Sequence, residues 1–155
     1  KTSRLFMMAT KGALLLQGRD DLLELLGDFA YHFGNAFQMI DDVLDFSGDA
    51  LVMGKNLGDD LAEGKPTLPI IKTLEILKEQ NPTDYDTLRI AVQTGKIDDV
   101  AKLIELVQTS GALAYCKQRA LEETALAQKA LALLPNNKYR DGLYQLTQLA
   151  SSRLV

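Results

Sequence analysis

The chain has 155 residues, 46% of them hydrophobic and 25% charged, which is typical of one globular domain with a substantial core. One cysteine and one histidine exclude an internal disulfide framework and argue against a structural zinc site. The net charge is −4 and the sequence has no stripe of basic residues, so a nucleic-acid partner is not expected. It also has no apolar run of about 18 residues and no signal peptide, which predicts a cytoplasmic protein without a transmembrane segment.

The first predicted helix covers residues 1–17 and is followed by a turn from Gly18 to Asp20. Neither a capping residue nor an initiator methionine stands at its start. We therefore expect the chain to be a fragment of a longer protein whose upstream part is missing.

The second helix is predicted to begin with Asp20 or Asp21 as its N-cap and to run to about Phe46. At 100° per residue, one broad face is apolar and consists of Leu22, Leu25, Leu26, Phe29, Phe33, Ala36, Ile40, Val43 and Leu44. The opposite face carries Gly27, Tyr31, Gly34, Gln38, Asp41, Asp42 and Asp45. Glycines weaken a helix by about 1 kcal/mol each, so we expect close packing against them, either at a site or at an ordinary helix–helix contact.

A glycine-rich loop is predicted for residues 48–65, after a helix stop at Gly48. A loop of this length inside a compact domain is typically functional or disordered. Pro66 suits the first turn of the next helix, which is predicted to reach about Glu79.

Four further helices complete the predicted chain, at about residues 83–93, 98–108, 112–134 and 139–153. Thr83 and Asp86 resemble a capping box, and Thr94-Gly95 ends that helix. Asp98-Asp99 is predicted to cap the following helix. Because no alternating β-branched run competes with these patterns, the prediction is an all-α helical bundle that forms a single domain from residue 1 to residue 155.

The predicted site lies between residues 41 and 65, which hold seven acids and two lysines, while the rest of the chain has a balance of +1. Asp41 and Asp45 are four apart, so their carboxylates lie on one side of the helix, and Asp42 is about 100° away. Oxygen ligands favour Mg²⁺ or Mn²⁺. Magnesium usually takes one or two carboxylates, several waters and substrate phosphate oxygens, and Lys55 and Lys65 supply point charges for that phosphate.

The competing interpretation of this motif is an acidic, solvated helix end. Gln38 on the same face, the glycine-rich loop and its two lysines favour a metal–phosphate site. Asp59-Asp60 is predicted either to brace the loop or to contact a metal indirectly. His32 is interpreted as a packed or hydrogen-bonded histidine and Cys116 as a small core residue.

The segments FQMIDDVLD and GKNLGDDLAEGKPTLP resemble the second aspartate-rich motif and downstream loop of trans-prenyl diphosphate synthases. Lys1-Thr2 resembles the lysine–threonine pair that this family has at about the same distance upstream. The resemblance is loose over the whole chain and tight over residues 34–72. The form of the loop is most similar to the medium- and long-chain branch, with octaprenyl diphosphate synthase as the nearest relative.

The resemblance implies an all-helical fold of the isoprenoid synthase type and a prenyltransferase reaction. An allylic diphosphate, such as farnesyl diphosphate, ionises, isopentenyl diphosphate attacks the cation, and proton loss restores a double bond. Asp41 would bind Mg²⁺ on the allylic diphosphate, assisted by Asp42 and Asp45. The diphosphate contacts would come from Lys1, Lys55 and Lys65, while Thr2 and Gln38 would line the cavity where the cation forms.

The family also has a first aspartate-rich motif and a basic pocket for isopentenyl diphosphate, and neither occurs in these residues. We therefore expect the chain alone to show no turnover, and the full enzyme to be a homodimer that makes octaprenyl diphosphate for quinone side chains. The alternatives are a terpene cyclase, which shares the cation chemistry, and a non-catalytic helical partner subunit.

Overall fold

A computed structural model of the protein describes residues 1–47, 65–95 and 99–154. The predictions for Lys55, Asp59, Asp60, Asp98 and the loop over residues 48–64 lie outside these ranges. The described residues form seven α-helices: α1 (Thr2–Leu16), α2 (Leu23–Leu44), α3 (Leu68–Gln80), α4 (Pro82–Thr94), α5 (Val100–Thr109), α6 (Ala112–Leu131) and α7 (Lys138–Ser151). They contain no strand, so the all-α prediction is confirmed.

The start of α2 differs from the prediction, because neither Asp20 nor Asp21 caps it. A 3-10 turn at Asp20–Leu22 precedes the helix, and the N-cap residue of this turn, Arg19, makes no side-chain cap. The Asp21 carboxylate is instead bound by the Arg19 guanidinium, at 2.8 Å from Nε and 2.7 Å from Nη2. This local ion pair lowers the pKa of Asp21, with the hydrogen bond from Arg19 as the largest cause.

Two other predicted helix starts are wrong by a few residues. Pro69, and not Pro66, occupies the first turn of α3. At α4 the cap is Asn81, whose side chain accepts a hydrogen bond from the Asp84 N–H at 3.3 Å, so the capping box at Thr83 does not form.

Other helix ends follow their local sequence signals. Gly95 ends α4 in the left-handed conformation at φ 65°, and Asp99 caps α5 by accepting from the Lys102 N–H at 2.9 Å. Asn137 caps α7 through the N–H groups of Tyr139 and Arg140, both at 3.0 Å.

The helices fall into two compact units. The terminal unit consists of residues 1–40 and 118–154, and its core joins residues of α2 and α6. Phe29, Ala30, Ala127 and Leu131 are buried there, and Phe6, Met7 and Phe33 pack against them.

Within the terminal unit, α1 lies so close to α2 that any side chain at position 34 would displace α1. A Cβ atom on Gly34 would lie 2.5 Å from the Ser3 Cα, which is backbone and cannot rotate away. A Cβ on Gly27 would meet the Lys11 side chain, whose flexible end can move. The glycines on this face of α2 therefore serve a helix–helix contact, which is one of the two predicted explanations.

The middle unit consists of residues 41–117. Its buried apolar core is made of Phe46, Ile70, Leu77, Leu88, Ala91, Leu103 and Val107. Phe46 is fully buried, and its carbonyl accepts a hydrogen bond from the Gln108 side chain at 2.8 Å. The chain is thus anchored immediately after the aspartate motif.

Candidate active site

The aspartate motif occupies the C-terminal end of α2. Asp41 and Asp42 lie in its last turn, and Asp45 follows the final helical residue, Leu44. The Asp45 N–H still donates to the Asp41 carbonyl at 3.1 Å, so helical spacing persists through this position. Asp41 and Asp45 therefore stand one turn apart on the same side, as the sequence spacing predicts.

The three carboxylates differ in their exposure. Asp42 is 6% exposed and Asp45 is 3% exposed, while Asp41 is half-buried. Carboxylates leave water only at a large cost in free energy unless they are paired or bound to a cation. A solvated acidic helix end is therefore the wrong interpretation for Asp42 and Asp45.

Nothing in the described part of the chain forms a ready-made metal cage, since no group of three or more His, Cys, Asp or Glu side chains converges there. The donor set of Asp41, Asp42 and Asp45 is made only of oxygen and is anionic. It fits a hard divalent cation that takes one or two carboxylates and completes its shell with water and phosphate. The assignment of these aspartates as metal ligands stays a prediction.

Cys116 lies near this motif in the middle unit and is fully buried. Burial, and then the negative charge of Asp42, raise the pKa of its thiol to about 11, against a smaller opposing effect of Lys72. A thiol with this pKa stays protonated at neutral pH and is a poor nucleophile. The prediction that Cys116 is a core residue is confirmed.

Two of the predicted site residues are joined directly. The Thr2 hydroxyl donates to Oε1 of Gln38 at 2.6 Å and links the start of α1 to α2. Lys1 is exposed and is the N-cap residue of α1. Gln38 precedes Asp41 by three residues in α2, so one helix carries both the amide and the carboxylates.

Lys65 is exposed and precedes α3, where its carbonyl accepts from the Thr67 N–H at 2.9 Å. Lys55 lies outside the described residues. The predicted diphosphate-binding role of both lysines rests on the sequence.

A buried carboxylate that sequence reasoning missed is Glu123 of α6. Its Oε2 lies 2.8 Å from Nδ1 of His32 and accepts from Nδ2 of Asn35 at 3.1 Å. His32 is thus hydrogen-bonded, as predicted. A signal for Glu123 exists in the sequence, because it stands three residues after Ala120 and four before Ala127, on the buried stripe of α6.

A second missed residue is Arg153, in the 3-10 turn Ser152–Leu154 that follows α7. Its guanidinium lies over the Phe37 ring, 6.0 Å from the centroid. Phe37 directly precedes Gln38 and also packs against Phe6 and Phe33. Because 116 residues separate Arg153 from Phe37, no local pattern could have revealed this contact.

Among the described residues, no helix combines the length and the apolar character needed to cross a membrane.

The sequence matches one protein-family model and is similar to several curated proteins, two of which are described here. The family model described as polyprenyl synthetase matches residues 1–107. The all-trans-nonaprenyl-diphosphate synthase (geranyl-diphosphate specific) of Rhodobacter capsulatus is 49% identical over 154 residues, which cover 99% of this chain and 46% of that protein. The octaprenyl diphosphate synthase of Haemophilus influenzae is 37% identical over 155 residues, covering 99% and 46% respectively.

A similar solved structure is that of a polyprenyl synthase from Caulobacter crescentus CB15, complexed with calcium and isoprenyl diphosphate. It matches with a TM-score of 0.86 at 33% identity and covers 100% of this chain and 47% of the other. The chain therefore spans about half the length of the relatives that it matches.

Proposed function

The chain belongs to the polyprenyl synthetase family, and from this premise we propose that it supplies the second half of a prenyltransferase site. The enzyme would add isopentenyl diphosphate units to an allylic diphosphate. The observation that carries the proposal is the arrangement of polar side chains along α2. Gln38 is hydrogen-bonded to Thr2, and the motif of Asp41, Asp42 and Asp45, of which Asp42 and Asp45 are buried, begins three residues later.

In the proposed reaction, the C–O bond of the allylic diphosphate breaks and the diphosphate leaves with the electron pair. The double bond of isopentenyl diphosphate attacks the allylic carbon, a C–C bond forms, and loss of a proton restores a double bond. The product is an allylic diphosphate that is five carbons longer and enters the next cycle. Medium- or long-chain all-trans products are therefore expected.

Negative charge develops on the departing diphosphate. We propose that the lysines and the metal-binding aspartates of this chain stabilise that charge. Asp41, assisted by Asp42 and Asp45, would hold Mg²⁺, which lowers the energy of the leaving group; Mn²⁺ suits the same oxygen ligands. The Caulobacter polyprenyl synthase structure holds calcium with isoprenyl diphosphate, which supports a divalent ion. Lys1, Lys55 and Lys65 would bind the diphosphate oxygens directly.

Thr2 and Gln38 would line the cavity beside the allylic carbon. The 2.6 Å bond from the Thr2 hydroxyl fixes the rotation of the Gln38 amide. An amide that is held before the reaction needs no reorganisation as the cation forms, and such preorganised dipoles stabilise a transition state most effectively.

The product length remains part of the proposal, because the similar enzymes include a nonaprenyl and an octaprenyl synthase. We propose an octaprenyl product for quinone side chains, and the resemblance also favours a cytoplasmic homodimer.

The proposal can be tested with a joined enzyme, in which this chain replaces the matching segment of the Rhodobacter capsulatus nonaprenyl synthase. Geranyl, farnesyl and geranylgeranyl diphosphates with labelled isopentenyl diphosphate serve as substrates, and chain length is measured chromatographically. We expect magnesium-dependent elongation by the joined enzyme and none by the 155-residue chain alone.

Failure of the joined enzyme, with the unmodified Rhodobacter enzyme active, would contradict the proposed function. It would favour a non-catalytic partner subunit if the joined enzyme also failed to bind a diphosphate analogue in magnesium. A cyclic hydrocarbon product would instead indicate a terpene cyclase.

A further inference from the structure

The terminal unit contains a buried polar cluster that the proposed chemistry does not use. Glu123 of α6 is 9% exposed, and one of its oxygens meets two side chains of α2. That oxygen is 2.8 Å from His32 Nδ1 and 3.1 Å from Asn35 Nδ2. As a carboxylate, Glu123 only accepts hydrogen bonds, so His32 presents a protonated Nδ1 to it.

These two bonds restrain α2 in a way that its apolar contacts do not. Hydrogen bonds weaken steeply when their angle changes, whereas apolar contacts are non-directional. His32 and Asn35 are three residues apart and lie on one side of α2. Rotation or sliding of α2 would therefore break both bonds to the same oxygen.

The restrained segment ends one helical turn before Gln38. Asn35 precedes Gln38 by three residues, and Gln38 must keep its orientation to accept from Thr2 at 2.6 Å. On another side of α2, α1 packs at the bare backbone of Gly34 and through the Phe6 ring, which lies against Phe33 and Phe37. These ring contacts are apolar. The carboxylate of Glu123 thus adds a directional restraint on α2 from α6, one turn before the Thr2–Gln38 hydrogen bond.

We propose that Glu123 is a positioning residue for prenyl transfer, acting through His32 and Asn35 on the orientation of Gln38. The inference rests on the proposed function. Glu123 itself would not contact the substrate. It would act on the orientation of the Gln38 amide, which is proposed to lie beside the reacting carbon. Substrate capture through lysines and metal ligands is unaffected by it.

The first test compares Glu123→Leu with Glu123→Gln in the joined enzyme. Leucine removes both acceptor contacts, and we expect kcat to fall about tenfold, because small misplacements of a positioning group have effects of this order. The KM for the allylic diphosphate should stay within about twofold, since binding uses other residues. Glutamine keeps an acceptor oxygen and should restore most of kcat.

Glu122→Leu is the matched control. Glu122 is the neighbouring residue of α6, has a half-exposed side chain, and pairs with Arg119. Its loss removes the same charge without touching α2, so kcat and KM should not change. Should Glu123→Leu fail to fold, Asn35→Ala removes one donor and leaves the His32–Glu123 pair intact; a smaller fall in kcat is then expected.

A double-mutant cycle with Gln38→Leu separates positioning from general stability. If Glu123 acts through Gln38, Glu123→Leu should cost less than about twofold in kcat once Gln38 is absent. Additive losses, or a rise in KM that accounts for the whole effect, would overturn the proposal.

Hydrogen exchange provides a readout that does not depend on turnover. We expect Glu123→Leu, and not Glu122→Leu, to speed deuterium uptake in residues 33–40 of α2, whether or not the wild-type joined enzyme elongates substrate. Unchanged uptake there would overturn the positioning role. Absence of elongation in the wild type, with faster uptake in the variant, would instead contradict the proposed function alone.

Discussion

At the scale of single residues, the aspartates of α2 differ in environment although they share one motif. Asp42 and Asp45 are buried and Asp41 is half-buried, so Asp41 is the most accessible to a ligand. The negative charge of Asp42 acts on the buried thiol of Cys116. Position within the helix end, and not residue type, therefore sets how accessible each carboxylate is.

We expect Asp41→Ala in the joined enzyme to reduce kcat by about two to four orders of magnitude, because it removes a carboxylate proposed to hold the metal at the leaving group. Asp28→Ala is a suitable control, since Asp28 is an exposed aspartate of the same helix. It should leave kcat unchanged. Near-normal elongation by Asp41→Ala would remove Asp41 from the metal site.

The Cys116 thiol predicts a pH dependence of stability. Its pKa is about 11 in the folded protein against 9.0 as the ordinary value, so the folded protein keeps a proton that the unfolded chain releases. This contribution is fully present below pH 9 and is lost as the pH rises toward 11, with a slope of at most about 1.4 kcal/mol per pH unit.

Urea unfolding of the wild type and Cys116→Ala between pH 8 and pH 11 measures this effect. Lysine and tyrosine titrations that are common to both proteins cancel in the difference, apart from the coupling between Lys72 and Cys116. The stability advantage of the wild type should shrink above pH 9. A constant difference across this range would show that the folded thiol titrates normally.

At the scale of helices, the contact between α1 and α2 brings Thr2 to Gln38. Gly34→Ala places a methyl group against the Ser3 backbone, so α1 must shift. We expect a loss of about 1–3 kcal/mol in the free energy of unfolding, as is usual for overpacking. The measurement is urea unfolding followed by circular dichroism.

Gly12→Ala in α1 is the matched control, because no atom lies within 4 Å of the added methyl group. It should stabilise the protein by about 0.5–1 kcal/mol through helix propensity. If both variants were stabilised equally, the close approach of α1 to Gly34 would be contradicted.

Helix ends were predictable where a single local signal decided them, as at Gly95 and Asp99. They were mispredicted where two neighbouring signals competed. Asn81 and Thr83 can each cap α4, and Pro66 and Pro69 can each occupy the first turn of α3. The sequence alone does not show which residue of each pair is used. Asp21 was lost as a cap because Arg19, two residues away, binds its carboxylate.

At the scale of the whole molecule, the sequence predicted the all-α class and the group of aspartates in the candidate site. The motif of Asp41, Asp42 and Asp45 is local to one helix, and helical spacing is enough to place it. Glu123 and Arg153 reach α2 from more than 85 residues away, so single-sequence patterns do not pair them with it. Only packing of α6 and α7 reveals those contacts.

The discontinuity of the terminal unit has a consequence for the order of folding during synthesis. Residues 41–117 emerge from the ribosome before most of α6 and all of α7 have emerged, so the middle unit can complete its core first. His32 and Asn35 can bind Glu123 only after α6 has emerged, and Phe37 can contact Arg153 only after the turn that follows α7 has emerged. The helix on which the proposed chemistry depends therefore acquires these restraints only after the middle unit has been made.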